Sequence, residues 1–226
     1  MRTIILIATI LILCVFALPS HVSAQVSLLD TSSMNKWAVV FGVKGYQAEP
    51  IAGDNNARAM ASILKTIYGF PSDHVLLILN NKFTSQSVAD ALSWLRQNTG
   101  VYSSVFLFYS GHGYPGGVQN MAADYLATEF STISYAKLCM VFEACYSGSM
   151  CVPLAGPNRV IIGSTKPDMM GLSGSSKSLW ATKFIQQAIK QGMADTNNDG
   201  FVSMEEAFNY TVLGTISDNY PGELVP

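Results

Sequence analysis

The sequence predicts an α/β fold in which helices cover both faces of a mostly parallel central sheet. Three observations carry that prediction. Five short runs are apolar at nearly every position rather than at alternate ones, which suits strands buried on both faces. Segments with apolar residues at helical spacing separate most of these runs, the pattern of strand–helix–strand units. Finally, 49% of the chain is apolar and only 12% is charged, so there is ample material for one core.

Each element follows in chain order. Residues 37–43 (WAVVFGV) read as the first strand, and 54–68 as a helix with Ala57, Met60, Ala61, Leu64 and Ile67 at helical spacing. Asp54 is a candidate N-cap, and Gly69-Phe70-Pro71 ends that helix. Residues 74–79 make a second strand, and 84–98 a helix with Val88, Leu92 and Leu95 on one face. The runs 105–109, 138–142 and 159–162 supply three more strands, and 178–191 a further helix. The crossover from the third strand to the fourth is irregular, because residues 127–137 leave little room for a helix where parallel connections usually take a dozen residues or more.

The N-terminus reads as a secretory signal. Arg2 precedes an apolar stretch at 4–18, too short to span a bilayer comfortably, and Val22-Ser23-Ala24 supplies small residues for cleavage. An uncleaved membrane anchor is the alternative. The expected layout is a signal peptide at 1–24, a short lead at 25–36 and one domain at 37–226 that is exported and, once the signal is removed, carries no membrane attachment. Loss of Arg2 leaves 12 basic residues against 15 acidic ones, a net charge of −3, with no basic run to recruit nucleic acid.

Cys14 departs with the signal, leaving Cys139, Cys145 and Cys151. Three thiols cannot all pair within one chain, so one stays free or pairs with another chain. Their spacing is no zinc pattern. Cys139 lies inside a strand and reads as a core residue, and His74 as a structural histidine.

Parallel topology gathers the loops that leave the strands along one edge, where such sheets bind ligands. Ser110-Gly111-His112-Gly113 follows the third strand and Glu143-Ala144-Cys145-Tyr146-Ser147-Gly148 the fourth; Asp54, Asn55 and Asn56 follow the first. A thiol and an imidazole therefore reach the same edge. The imidazole can favour the thiolate or protonate a leaving group, and glycines beside His112 let backbone N–H groups approach a substrate oxygen. The string Gly111–Gly116 also spells a dinucleotide fingerprint, but Pro115 and Gly117 forbid the helix that motif needs. No organic cofactor is expected.

These two loops resemble the catalytic segments of the legumain- and caspase-like cysteine peptidases, with Glu143–Met150 closest to the legumain group. The resemblance runs from Trp37 to about Tyr210 and implies a caspase-like sandwich acting on polypeptides. It implies His112 and Cys145 as the catalytic dyad and the N–H groups of Gly113 and Cys145 as the oxyanion hole. Relatives that cut after Arg or Lys place one acid two residues before the cysteine and another in an Asn-Asp-Ala segment. Here Glu143 fills the first place, while the second reads Asn55-Asn56-Ala57. Glu143, Asn56 and Asp54 are thus the substrate-binding candidates, for Asn or for Arg/Lys at the cleaved position. A catalytically silent binding domain, supported by the irregular crossover, and a peptide ligase using the same acyl-enzyme are the alternatives.

Residues 195–206 (DTNNDGFVSMEE) match a twelve-residue EF-hand-like calcium loop. Asp195, Asn197, Asp199, the Phe201 carbonyl and Glu206 would be the ligands of a structural or regulatory Ca2+. The same residues also satisfy a tight turn leading into a helix with a Ser203…Glu206 capping box. Asn209-Tyr210-Thr211 is a glycosylation sequon. The segments around the domain are expected to hold no folded prodomain, and latency, if present, to depend on calcium or on self-cleavage near 149–158 or 164–178.

Overall fold

The computed structural model describes residues 35–45, 51–171 and 178–217. The signal reading, most of the N-terminal lead and part of the 164–178 loop lie outside the described residues. Five strands form the central sheet: β1 (Lys36–Gly42), β2 (Val75–Leu79), β3 (Ser104–Ser110), β7 (Lys137–Glu143) and β8 (Arg159–Gly163). Their order is β2-β1-β3-β7-β8, and every neighbouring pair is parallel. The α/β sandwich is therefore as expected, with strand limits within a residue or two of the sequence reading.

Side chains alternate between two cores because successive strand residues face opposite sides. Ala38, Val40, Phe106, Phe108 and Val141 point into one core with α1 (Gly53–Thr66). The same core takes Trp180, Phe184 and Ile185 from α5 (Leu179–Ala181) and from the π-helix that continues it (Thr182–Lys190). It also takes Met204 and Ala207 from α6 (Met204–Ser217). Val39, Phe41, Leu107, Tyr109, Met140 and Phe142 point the other way, against α2 (Ser85–Asn98) and beside Leu154 of the short helix α4 (Cys151–Leu154). The helix at 178–191 forms where expected, but its hydrogen bonds widen to the π pattern after Ala181, as in Gln191 N–H donating to Gln186 O at 3.0 Å.

Two local expectations are corrected. Asp54 does not cap α1: Ala52 holds the cap position, and Asp54 sits one residue into the helix, where Oδ1 accepts from the adjacent Asn55 N–H at 2.9 Å. Its charge still suits the positive end of the helix dipole. The crossover from β3 to β7 does contain a helix, α3 (Ala123–Phe130). Residues 113–122 first fold into a small antiparallel sheet of β4 (Gly113–Tyr114), β5 (Gly117–Val118) and β6 (Met121–Ala122). Its turns use positive φ at Gly116 (83°) and Asn120 (61°), returning the chain early enough for a helix to begin at Ala123. Ala123, Leu126 and Phe130 then bury one face of α3. The sheet between His112 and Cys145 is accordingly regular, which removes the argument for a silent domain.

No described helix is long and apolar enough to cross a membrane.

Candidate active site

β3 and β7 lie side by side in register, Ser110 opposite Glu143, so the loops that leave them start at the same level. His112 and Cys145 consequently line one cavity of about 40 Å3, together with Ile51, Gly53, Glu143 and Trp180. Cys145 and His112 are both partly exposed.

The loop carrying Cys145 is held in an unusual conformation. Tyr146 adopts φ 58°, ψ 13°, the left-handed region that costs a non-glycine residue energy. Compensating bonds surround it. Tyr146 N–H donates to Met169 O at 2.7 Å, Ser147 N–H to Thr165 Oγ1 at 3.0 Å, and Ala144 N–H to Ser164 Oγ at 3.1 Å. Ser147 Oγ in turn accepts the N–H groups of Ser164 (2.9 Å) and Thr165 (3.2 Å). Hydroxyl residues before and after strand β8 thus fix the turn that presents the thiol. Gly171 N–H donates to Cys145 Sγ at 3.4 Å.

The histidine loop is pinned from two sides. His112 O accepts from Tyr109 Oη at 2.8 Å and from Gln119 N–H at 3.1 Å. Tyr109 is fully buried and packs on Phe83, with ring centroids 5.5 Å apart. A Cβ on Gly111 would overlap the Tyr109 hydroxyl, and one on Gly113 would overlap the Cys145 carbonyl oxygen. These two glycines let the histidine loop close onto the tyrosine and onto the cysteine loop. Ser149 Oγ ties the loops together by accepting Gly116 N–H at 2.8 Å.

Glu143 closes the bottom of the cavity. Asn56 Nδ2 donates to its Oε2 at 3.0 Å, and Ser110 Oγ makes a short hydrogen bond to the same oxygen. Ser178, at the N-terminus of α5, adds a third. Burial pushes the Glu143 carboxyl up from its usual range, against the pull of the bonds from Ser110, Ser178 and Asn56. Asp54 is not brought in: its Oδ2 accepts from Asn80 Nδ2 at 3.3 Å, and it is no part of the cavity wall. Tyr109, Ser110, Trp180 and Gly171 were not identified from sequence. A polar tip at the end of an otherwise apolar strand, Tyr109-Ser110, was the available signal.

Cys139, Cys145 and Cys151 are all free thiols. Cys139 is buried in the core as expected, and burial raises its pKa well above the usual thiol value; burial also raises Cys151. His74 stacks on Trp37 with centroids 3.6 Å apart, a structural role.

The 195–206 loop closes on itself at the opposite end of the chain. Asp195 accepts from the N–H groups of Asp199 (3.2 Å) and Gly200 (3.0 Å), Asn197 Oδ1 from Asp199 N–H (2.9 Å), and Asp199 Oδ1 from Phe201 N–H (2.8 Å). Glu206 turns to Ser203, accepting its N–H and hydroxyl at 2.9 Å each, and to Thr196 Oγ1 at 2.9 Å. The capping box is thus formed. Among the described residues no three His, Cys, Asp or Glu side chains gather closely enough to hold a metal ion.

A family model described as "Caspase domain" matches residues 35–212. Among solved structures, caspase-1 from Spodoptera frugiperda is similar in fold, with a TM-score of 0.57 and 15% identity over 84% of this chain and 80% of that one. No curated protein matches the chain significantly.

Proposed function

The chain belongs to the caspase-domain family of cysteine peptidases, and from that premise we propose that it is a legumain-like endopeptidase working through Cys145 and His112. The observation that carries this reading is the shared cavity: a thiol and an imidazole delivered by adjacent parallel strands above a buried carboxyl group. In this reading Cys145 Sγ, as thiolate, attacks the carbonyl carbon of the cleaved residue. The negative oxygen that results is held by the N–H groups of Gly113 and Cys145. His112 gives a proton to the leaving nitrogen, the C–N bond breaks, and a thioester remains. Water adds to the thioester, and the acid product leaves with the thiol regenerated. The thiol must give up the Gly171 N–H bond as it attacks.

Glu143 sets the cleaved residue in this proposal. A carboxyl group fed by Asn56, Ser110 and Ser178 offers hydrogen-bond acceptors when ionised and a donor when neutral. That suits Asn or a basic residue and rejects an acidic or purely apolar one. The legumain-like assignment rests on the run Glu143–Met150.

We further propose that the protein is exported after cleavage behind Ala24 and that the 195–206 loop takes Ca2+. Oxygen donors on Asp195, Asn197, Asp199, Phe201 and Glu206 fit that ion's chemistry, provided Glu206 releases Ser203 and Thr196. A bound ion would hold the π-helix and α6 together from their connecting loop.

A fluorogenic peptide panel ending in Asn, Arg, Lys or Asp, run beside Cys145→Ala, tests the activity. Turnover of the Asn or basic peptides that vanishes in Cys145→Ala is expected. Equal turnover by the variant would sink the site assignment, and none by the wild type would sink the enzyme reading.

A further inference from the structure

A second cavity opens along the same edge of the sheet, on the far side of His112 from Cys145. It measures about 490 Å3 and is lined by Val43, Lys44 and Gly45 after β1, Asn80, Asn81 and Phe83 after β2, and Gln119 from the small sheet. It is built rather than incidental. Asn80, at φ 54°, stitches its walls together by accepting Lys44 N–H on Oδ1 at 2.7 Å and donating from Nδ2 to Asp54 Oδ2 at 3.3 Å. Val43 N–H bonds to Ser110 O at 2.9 Å, joining the cavity to the strand that carries His112.

The chemistry at the dyad assigns a direction to this edge, so the inference rests on the proposed peptidase reading. Cys145, after β7, takes the carbonyl carbon, and His112, after β3, protonates the departing nitrogen. The chain beyond the cleaved bond is attached to that nitrogen. With strands ordered β2-β1-β3-β7-β8, it continues from β3 toward β1 and β2, where the 490 Å3 cavity lies.

The walls specify what fits. Val43 and Phe83 supply an apolar lining. The Gln119 side-chain oxygen Oε1 is buried and has no hydrogen-bond partner among the described residues, whereas the Gln119 main-chain N–H is spent on His112 O. A buried acceptor without a donor is costly, and a ligand that supplies one recovers that cost. Exposed Lys44 places a positive charge on the rim. We infer that this cavity is a subsite for the substrate residues just past the cleaved bond, and that Gln119 selects an uncharged side chain with an apolar stem and an N–H or O–H tip, such as glutamine, asparagine or tyrosine.

Internally quenched peptides test this. They share one sequence up to the cut and carry Gln, Leu or Lys at the first or second position beyond it. The wild type should favour Gln over Leu and over Lys by about tenfold in kcat/KM at one of the two positions, the size of one buried hydrogen bond. Gln119→Leu should erase the difference between Gln and Leu. Gln119→Glu, which keeps an acceptor and adds a negative charge, should move the preference to Lys, and it decides the question should the leucine variant fail to fold. An unchanged rank order across the three proteins, or no discrimination by the wild type at either position, would overturn the subsite. Cleavage that persists in Cys145→Ala would instead overturn the dyad on which it rests.

Discussion

Glu143 and Glu206 are the same side chain in opposite circumstances. Glu143 is buried, and its hydrogen bonds come from residues far away in the chain, Ser110 and Asn56 being 33 and 87 positions off and Ser178 adding a third. Glu206 is partly exposed, and its partners lie 3 and 10 positions away. Burial dominates at Glu143 and pushes its pKa up. At Glu206 burial pushes the same way but loses to the bonds from Ser203 and Thr196, and the pKa falls. The candidate active site is therefore assembled by the whole fold, whereas the 195–206 loop is assembled by its own twelve residues. Damage to the first should spread; damage to the second should stay local.

Replacing each acid by leucine should separate the two regions most. Glu143→Leu leaves the Asn56 amide and the Ser110 hydroxyl buried without their acceptor, which should cost on the order of 3 kcal/mol of stability and about a hundredfold in kcat/KM. Glu206→Leu removes a helix-start bond that water can replace and should cost about 1 kcal/mol. Urea titration and peptide assays measure both. Equal stability losses would mean that the two sites do not differ in kind.

Tyr109→Phe sharpens the active-site half. It removes the tyrosine bond to His112 O while keeping the buried ring, so kcat should fall about fivefold, with KM and the melting temperature nearly unchanged. A matching rise in KM would show that the phenol serves binding instead.

The pH dependence should run in opposite directions at the two acids. A raised carboxyl pKa contributes stability that is present in acid and lost as pH rises through it. A lowered one contributes stability that is present above about 4.5 and lost as pH falls below it. The stability of the wild type relative to Glu143→Gln should therefore decline with rising pH, and relative to Glu206→Gln with falling pH. Ionisation of Glu143 should also raise kcat/KM for Arg peptides relative to Asn peptides as pH increases. Thermal melts and initial rates over a pH series check each slope.

The smallest effect concerns the loop alone. Calcium should raise the wild-type melting temperature by a few degrees and leave that of Asp195→Ala unmoved. Identical melts in calcium and in chelator would leave the loop as a turn and a capping box.

The same contrast explains what could be read from the sequence. The five strands were legible because each reads as an apolar run, the central β1, β3 and β7 being buried along nearly their whole length. The 195–206 loop was legible because its hydrogen bonds join near neighbours. The loops bearing His112 and Cys145 were placed on one edge by parallel topology alone. What escaped was non-local or disguised. Asn56 and Glu143 were both named as substrate-binding candidates, but nothing near Asn56 announces the hydrogen bond that joins it to Glu143, 87 residues away. Gly171 N–H at the thiol and Trp180 in the cavity wall depend on how the chain returns after β8. The short helix α3 was hidden behind Tyr114-Pro115-Gly116-Gly117, which reads as open loop but folds into a small sheet. Asp54 looked like a cap because a helix starting two residues later would have needed one.

In the proposed mechanism Cys145 is the nucleophile, and His112 and the fold around it make it so. Reaction with a peptidyl acyloxymethyl ketone ending in Asn or Arg, followed by peptide mapping in a mass spectrometer, tests it directly. Cys139 and Cys151 have thiols suppressed by burial. The predicted result is one thioether adduct, on Cys145, forming in step with loss of activity and much more slowly in His112→Ala. An adduct on Cys151, or full inactivation with Cys145 unmodified, would contradict it.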